Sequence, residues 1–235
     1  MVSRPSLTLF SGLVVRKAFD DVIIDAFGQA SGIDLNCVFD PTVKLLARIE
    51  EGEPFDVMIG TTGSFEDLGR RGVVDPDSVT PFVRTGIGLG VKQGDPLPDI
   101  STVAALTEAV RQARSVAYSR TGQSGIYFVE LVEQLGIAEE VLSRATVLEK
   151  GFTANALMDG SADLAVQQVS ELLFVPNTAV VGFLPDEVQR YTEFACAIST
   201  GSEVPEAGRV FIDFISGESA AAAYRETFLE PISRR

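Results

Sequence analysis

The stretch Val116–Leu135, VAYSRTGQSGIYFVELVEQL, decides how the chain is read. It opens on residues suited to a strand (Val116, Ala117, Tyr118) and passes through a polar loop with two glycines, Ser119 to Gly125. It then continues with Phe128, Leu131, Val132 and Leu135 at helical spacing, one buried stripe. A strand that turns through glycine into a helix leaves backbone N–H groups unpaired at the helix start. Ser119, Thr121 and Ser124 place hydroxyls beside them. Such a turn can seat an anion, and it also fits an ordinary βα connection capped by Ser124. The weight on the side of binding comes from repetition, because similar turns recur along the chain.

Upstream, Ser6 to Phe10 reads as a strand, followed by a helix stripe of Val15, Ala18, Phe19, Val22 and Ala26. Leu35 to Phe39 is a second strand, and Pro41-Thr42 opens a helix that Gly52 and Pro54 stop. Phe55 to Ile59 is a third strand, then a loop Gly60 to Ser64 and a short helix to Gly72. Successive βα units predict parallel strands with right-handed crossovers. From Arg84 to Pro96 the chain becomes a strand interleaved with glycines. Its Gly86, Gly88 and Gly90 lie inside the strand and open no helix, so they are not a dinucleotide fingerprint. Glycine at alternate positions predicts close backbone approach or a passage between lobes.

Asp99 to Thr102 then caps a helix reaching Ala113. Downstream, strands are predicted at Ala145–Leu148, Ala162–Gln167, Val180–Leu184 and Glu193–Ile198, with a short helix at Thr153–Met158. Two helices close the chain, one lined by Ala207, Val210, Phe211, Phe214 and Ile215, the other alanine-rich from Ser219 to Thr227. The pattern is α/β, with two groups of βα units forming two lobes.

Composition narrows the chemistry. A net charge of −14 disfavours nucleic acid and anionic membrane surfaces. With no histidine in 235 residues, His-based metal sites, a Ser-His-Asp triad and a Cys-His pair are excluded. Cys37 and Cys196 sit in apolar strand-like runs and read as free core thiols. No apolar run is long enough to span a bilayer, so no direct membrane insertion is expected. The start, MVSRPSLTLF, lacks the pattern of a secretory signal, which leaves a cytoplasmic protein or a processed form with an added Met.

Ligands of open parallel sheets bind beyond the carboxyl ends of the strands. Those ends carry Ser11-Gly12, Asp40-Pro41-Thr42, Thr61-Thr62, Ser119 to Gly125, Gly151-Phe152-Thr153 and Gln167-Gln168. Each alone fits a cap; together they predict a hydrogen-bonding pocket with little fixed charge. Arg16, one turn after Ser11-Gly12, and Arg84, where the chain passes between lobes, are the candidate cations, because a guanidinium can fork onto a carboxylate. The candidate ligand-binding set is Ser11, Gly12, Arg16, Thr42, Thr61, Arg84, Ser119, Thr121, Ser124, Gly125 and Gln167. No metal, cofactor or catalytic constellation is expected.

The order of segments resembles the molybdate-binding-like solute-binding proteins of ABC importers. The matching stretches are LTLFSG, VKLLARIEEGEPFDVMI, SGIYFVELVEQLGI, the DLAVQQVSELL region and VFIDFISGESAAAAYRE. The resemblance runs end to end. It implies a two-lobed type II periplasmic-binding fold, each lobe a mostly parallel sheet flanked by helices, with two hinge crossings and a ligand clamped by closure. The lobes would be 1–83 plus 201–235 and 84–200, with crossings near Phe82–Gly86 and Ser199–Gly201. It also implies a periplasmic monomer that delivers a small anion to a membrane permease.

The chain departs from the molybdate pattern. The serine-rich first loop of that family corresponds to Ser11–Val15, which keeps one serine. Its second serine-bearing loop corresponds to Asp40-Pro41-Thr42, where a carboxylate would repel an oxyanion, and its pocket tyrosine falls at Gln167. An organic carboxylate or a larger oxyanion suits Arg16 and Arg84 better. The alternative is an isomerase of an unsaturated polycarboxylate on the same fold, its base being Asp40, Glu171 or a tyrosine. A cytoplasmic effector-sensing module is a third reading, against which no DNA-binding helix pair flanks the lobes.

Overall fold

A computed structural model describes residues 4–149 and 151–232. The elements run β1 (Ser6–Ser11), α1 (Arg16–Ala18), α2 (Ile24–Ser31), β2 (Asp34–Phe39), α3 (Thr42–Glu50), β3 (Val57–Thr61), α4 (Ser64–Arg70) and β4 (Thr80–Lys92). There follow α5 (Val103–Gln112), β5 (Val116–Ser119), α6 (Gln123–Gln134), α7 (Ala138–Leu142), β6 (Thr146–Leu148), α8 (Asn155–Met158), β7 (Leu164–Gln168), α9 (Val169–Leu172) and β8 (Thr178–Phe183). The chain closes with β9 (Tyr191–Ile198), α10 (Pro205–Ile215), α11 (Glu218–Glu226) and β10 (Glu230–Pro231). A π-helical segment, Phe19–Ile23, links α1 to α2, and α2 ends on Gly32 in the left-handed region (φ 73°).

The chain divides into two compact units, Met1–Arg84 with Thr192–Arg235, and Thr85–Tyr191. In the first, β1 pairs in parallel with β2 and β3, as three successive βα units require. β9 lies antiparallel to β3, from Val57↔Ile198 to Thr61↔Phe194. The sequence reading put this last strand in the second lobe, with a crossing after it. Its ladder with β3 puts it in the first unit, and the second crossing precedes it, because a strand belongs where its backbone hydrogen bonds are made.

Sheet pleating explains the near-continuous apolar runs, since strands covered on both faces need apolar side chains at every position. Leu7 and Leu9 of β1, Val57 and Ile59 of β3, and Cys196 and Ile198 of β9 face a core with Phe19, Phe27, Phe211 and Tyr224. The alternate residues Phe10, Met58, Ala195 and Ala197 face a second core with Leu45, Phe65 and Leu68. Phe27 meets Phe211 edge-on at 5.1 Å and Phe214 at 5.4 Å, which fastens α10 to α2.

In the second unit β5 is parallel to β6 and β7, while β4 is antiparallel to β7 and β8. Val116, Leu164, Val166, Ile87 and Leu89 pack with Phe128, Leu131 and Val132 of α6. Ala117 and Ala165 face the other way, toward Leu157 and Leu172. Thr102 caps α5 by accepting from Ala105 N–H at 3.1 Å. Helix α7 and strand β10 were not predicted; both are too short for periodicity to register.

Close approach explains the glycines of β4. A Cβ on Gly88 would stand 2.3 Å from Gly182 O and 2.5 Å from a Val169 methyl. Neither cysteine is in a disulfide; Cys196 is buried, and the Cys37 thiol is pushed up to about 12 by burial. Among the described residues no helix is long and apolar enough to cross a membrane. The prediction from the β4 packing is that Gly88→Ala lowers stability by about 2 kcal/mol or more, the cost of overpacking against backbone. Urea denaturation measures it, and an unchanged midpoint would contradict the packing.

Candidate functional site

In the first unit the strand ends are level. Ser11 stands beside Phe39 and Ile59 in the two ladders, Gly12 N–H donates to Ile59 O at 2.9 Å, and Asp40 N–H donates to Ser11 O at 3.1 Å. Ser11 is fully buried and its hydroxyl donates to Gly12 O at 3.1 Å. Thr42 opens α3, and its Oγ1 lies 3.7 Å from where a Cβ on Gly12 would stand. No side chain caps α3, and its Lys44 and Leu45 N–H groups go to Pro41 O. The N–H groups of Thr42 and Val43 therefore have no acceptor among the described residues. Thus Ser11, Gly12 and Thr42 come together.

Thr61 is set slightly apart, its hydroxyl sharing a 2.8 Å hydrogen bond with Ser64. Beside it Thr62 N–H donates to Glu193 O at 3.0 Å, while Thr62 Oγ1 is buried with no partner among the described residues. A buried hydroxyl left unpaired costs about 1–3 kcal/mol, so this atom is a donor in want of an acceptor. The loop is visibly polar in sequence, but which of its hydroxyls stays unbonded depends on the β3–β9 ladder.

The two arginines separate. Arg16 is half-exposed beside the β1 and β2 ends, with Nε 3.1 Å from Asp20 and its guanidinium over the Phe39 ring at 5.3 Å. Arg84 is exposed and bonds Glu230, its partner across the β4–β10 ladder, at 2.8 Å. The repulsive carboxylate expected at Asp40 is offset, since Asp40 lies 3.1 Å from Arg48 and 3.8 Å from Lys44. It serves as an ion-pair anchor for α3, which also argues against a role as base.

In the second unit Ser119 ends β5 with its Oγ accepting from Gly122 N–H at 3.2 Å. Ser124 is not the cap: Gly122 holds that position and Ser124 is the second residue of α6. Gly125 and Ile126 N–H groups go to Gly122 O, leaving those of Gln123 and Ser124 without an acceptor among the described residues. Gly125 has a packing reason, since a Cβ there would stand 1.8 Å from Ser119 O. Thr121 is exposed and turned toward Glu149 O, at 3.2 Å.

β5 and β7 pair in parallel as far as Ala117↔Ala165, and both continue toward their carboxyl ends, β5 to Ser119 and β7 through Gln167 to Gln168. Gln167 is buried, and its amide faces protein at both ends. Its Oε1 accepts from Thr153 N–H at 2.9 Å, and its Nε2 donates to Glu171 Oε2 at 2.8 Å. Gln167 thus holds other groups in place. Next to Glu171, Ser170 Oγ is fully buried and unpartnered among the described residues. Burial raises the Glu171 carboxyl to about 7, against a smaller lowering by the Gln167 hydrogen bond.

A depression of about 410 Å³ lined by Asp75, Asp77, Ser78, Ile198, Arg209 and Asp213 belongs to the first unit. Ile198 pairs with Val57 at the start of β3, so this acidic hollow lies at the opposite end of the sheet from Thr61.

Residues 7–230 match the family described as bacterial extracellular solute-binding protein, and the chain belongs to that family. It is 29% identical over 216 residues to an aconitate isomerase from Pseudomonas sp, covering 89% of this chain and 82% of that protein. The structure is similar to the periplasmic molybdate-binding protein of Azotobacter vinelandii, with TM-score 0.76, 16% identity, and 97% and 100% of the two chains covered. It is also similar to the sulfate-binding protein of Mycobacterium tuberculosis H37Rv, with TM-score 0.73, 16% identity, and 97% and 87% covered. The fold is that of the two-lobed α/β periplasmic-binding proteins.

A stability signature follows from Glu171. Its folded value of about 7 exceeds the 4.5 of an unperturbed Glu, so between these values the folded state binds more proton than the unfolded one. Stability contributed by the protonated form is therefore lost as pH rises through this window, by up to about 3 kcal/mol, and is level above it. Glu171→Gln removes that slope. Melts of both proteins across the window check it, and parallel curves would contradict the assignment.

Proposed function

We propose that this chain is the binding component of a solute importer and that its ligand is a small anion, an organic carboxylate or a molybdate-like oxyanion. Membership of the solute-binding family across residues 7–230 carries the reading. The strand ends supply its chemistry: in each unit they carry N–H groups and hydroxyls left without a partner among the described residues, suited to an anion. Thr42 N–H and Thr62 Oγ1 are the unbonded donors of the first unit, with Ser11, Gly12 and Thr61 beside them already bonded within the protein, and Ser119 and Ser124 are those of the second. Arg16 is the better candidate cation by position, since it stands at the β1–β2 ends; both arginines are ion-paired, Arg16 with Asp20 and Arg84 with Glu230. The reading places the protein outside the cytoplasm, with a membrane permease as partner.

A second reading has its own support. The aconitate isomerase relative acts on an unsaturated tricarboxylate, and Glu171 is a carboxyl that burial brings to about 7, suited to exchanging protons at neutral pH. Here the chain would move a proton between carbons of an unsaturated polycarboxylate.

Thermal-shift titration with molybdate, tungstate, sulfate and a panel of di- and tricarboxylates separates these readings. A ligand at a hundredfold excess over Kd stabilises by about 2.7 kcal/mol. The expected result is a shift with a carboxylate that Arg16→Ala reduces more than Arg84→Ala does. NMR of the incubated ligand then distinguishes a receptor, which returns it unchanged, from an isomerase. A panel with no response at all would refute the anion reading.

A further inference from the structure

The Thr153–Gln167–Glu171 chain fixes where a proton must sit. Thr153 N–H can only donate, so the Gln167 group facing it at 2.9 Å is the carbonyl oxygen. The amide orientation is thereby set, and Nε2 faces Glu171 Oε2 at 2.8 Å. An oxygen that accepts a hydrogen bond from an N–H is the poorer place for a proton. When Glu171 is neutral its proton is on Oε1, which has no hydrogen-bond partner among the described residues.

The surroundings give the carboxylate little help. α9 packs on β7 and β8, and neither strand carries a charged side chain; Val169 and Leu172 approach Gly88 and Gly90 of β4, whose nearest charge along the strand is the exposed Lys92. Of α6, which packs on β7, Glu130 is paired with Arg190 at 3.1 Å and Glu133 is exposed. Among the described residues no cation is paired with Glu171, and a bound anion nearby would disfavour its ionised form further.

We propose that Glu171 is a ligand-binding residue that meets the anion in its protonated form, Oε1–H donating to an anionic oxygen of the ligand. The proposal rests on the anion-binding reading above and assigns to that site a neutral acid as donor. Its ligand class is the carboxylates and other oxyanions that accept hydrogen bonds at neutral pH. The proton comes from solvent: at a pH where the empty site is ionised, capture of one anion takes up about one proton. Gln167 is the positioning residue, acting through its fixed amide.

Calorimetric titration of the whole protein with tricarballylate, which has no double bond to isomerise, and with molybdate tests this. Two buffers of different ionisation heat report the protons taken up. The expected result is uptake of about one proton at about pH 8, none at about pH 5.5, and an affinity that falls about tenfold per pH unit above about 8. Glu171→Gln, which keeps a donor but cannot titrate, is expected to bind with a flat pH profile and no proton uptake. Binding by the unaltered protein without uptake at about pH 8, or a variant that keeps the slope, overturns the role of Glu171 and leaves anion binding standing. Failure of both anions to bind at any pH overturns the anion reading, and this proposal with it.

Discussion

A parallel strand that runs straight into a helix cannot use all of its backbone donors. The ladder ends, the first turn of the helix has no preceding carbonyl to accept its N–H groups, and a short turn leaves no room for a long capping side chain. This constraint shapes the chain at each strand end. Where a local acceptor exists it is taken: Ser119 Oγ accepts from Gly122 N–H, and Pro41 O accepts from two residues of α3. Where none exists, donors remain, and the cores beneath the strands hold them in place. Leu9, Val57, Ile59 and Cys196 on one face of the first sheet, and Phe10 and Met58 on the other, leave the strands no freedom to shift register.

Against this local chemistry stands a net charge of −14. The two are compatible, because surface charge is screened over roughly 10 Å at ordinary ionic strength while a hydrogen bond acts at contact. The nearest carboxylates are also accounted for. Asp40 lies between Lys44 and Arg48, and Asp20 pairs with Arg16. The negative charge at the strand ends is thus matched within a turn of helix.

Glu171 is the exception, an acid with an amide for a partner and no cation paired with it among the described residues. Partly burying a carboxylate this way lowers stability, and the fold holds the arrangement through Thr153, Gln167 and the stacked rings of Phe152 and Phe174. Such a group is costly in a purely structural role, and it stands in α9, the short helix that follows directly on the carboxyl end of β7.

The alternation of strand and helix, the polar residues at strand ends and the exclusion of histidine chemistry were all legible in the sequence. Each is a local property: hydrophobic periodicity, turn composition or a count. Helix α6 could be read from Phe128, Leu131 and Val132, and β4 from its glycine alternation. Partner-dependent features were decided only in three dimensions. β9 belongs with β3 because of hydrogen bonds made to a strand more than a hundred residues earlier. Likewise Gly125 is required by the Ser119 carbonyl, Gln167 turns from a contact into a support once Thr153 is placed, and Thr62 is left with the unbonded hydroxyl. A residue's type states what bonds it can make; which bonds it does make depends on neighbours that the linear chain keeps far apart.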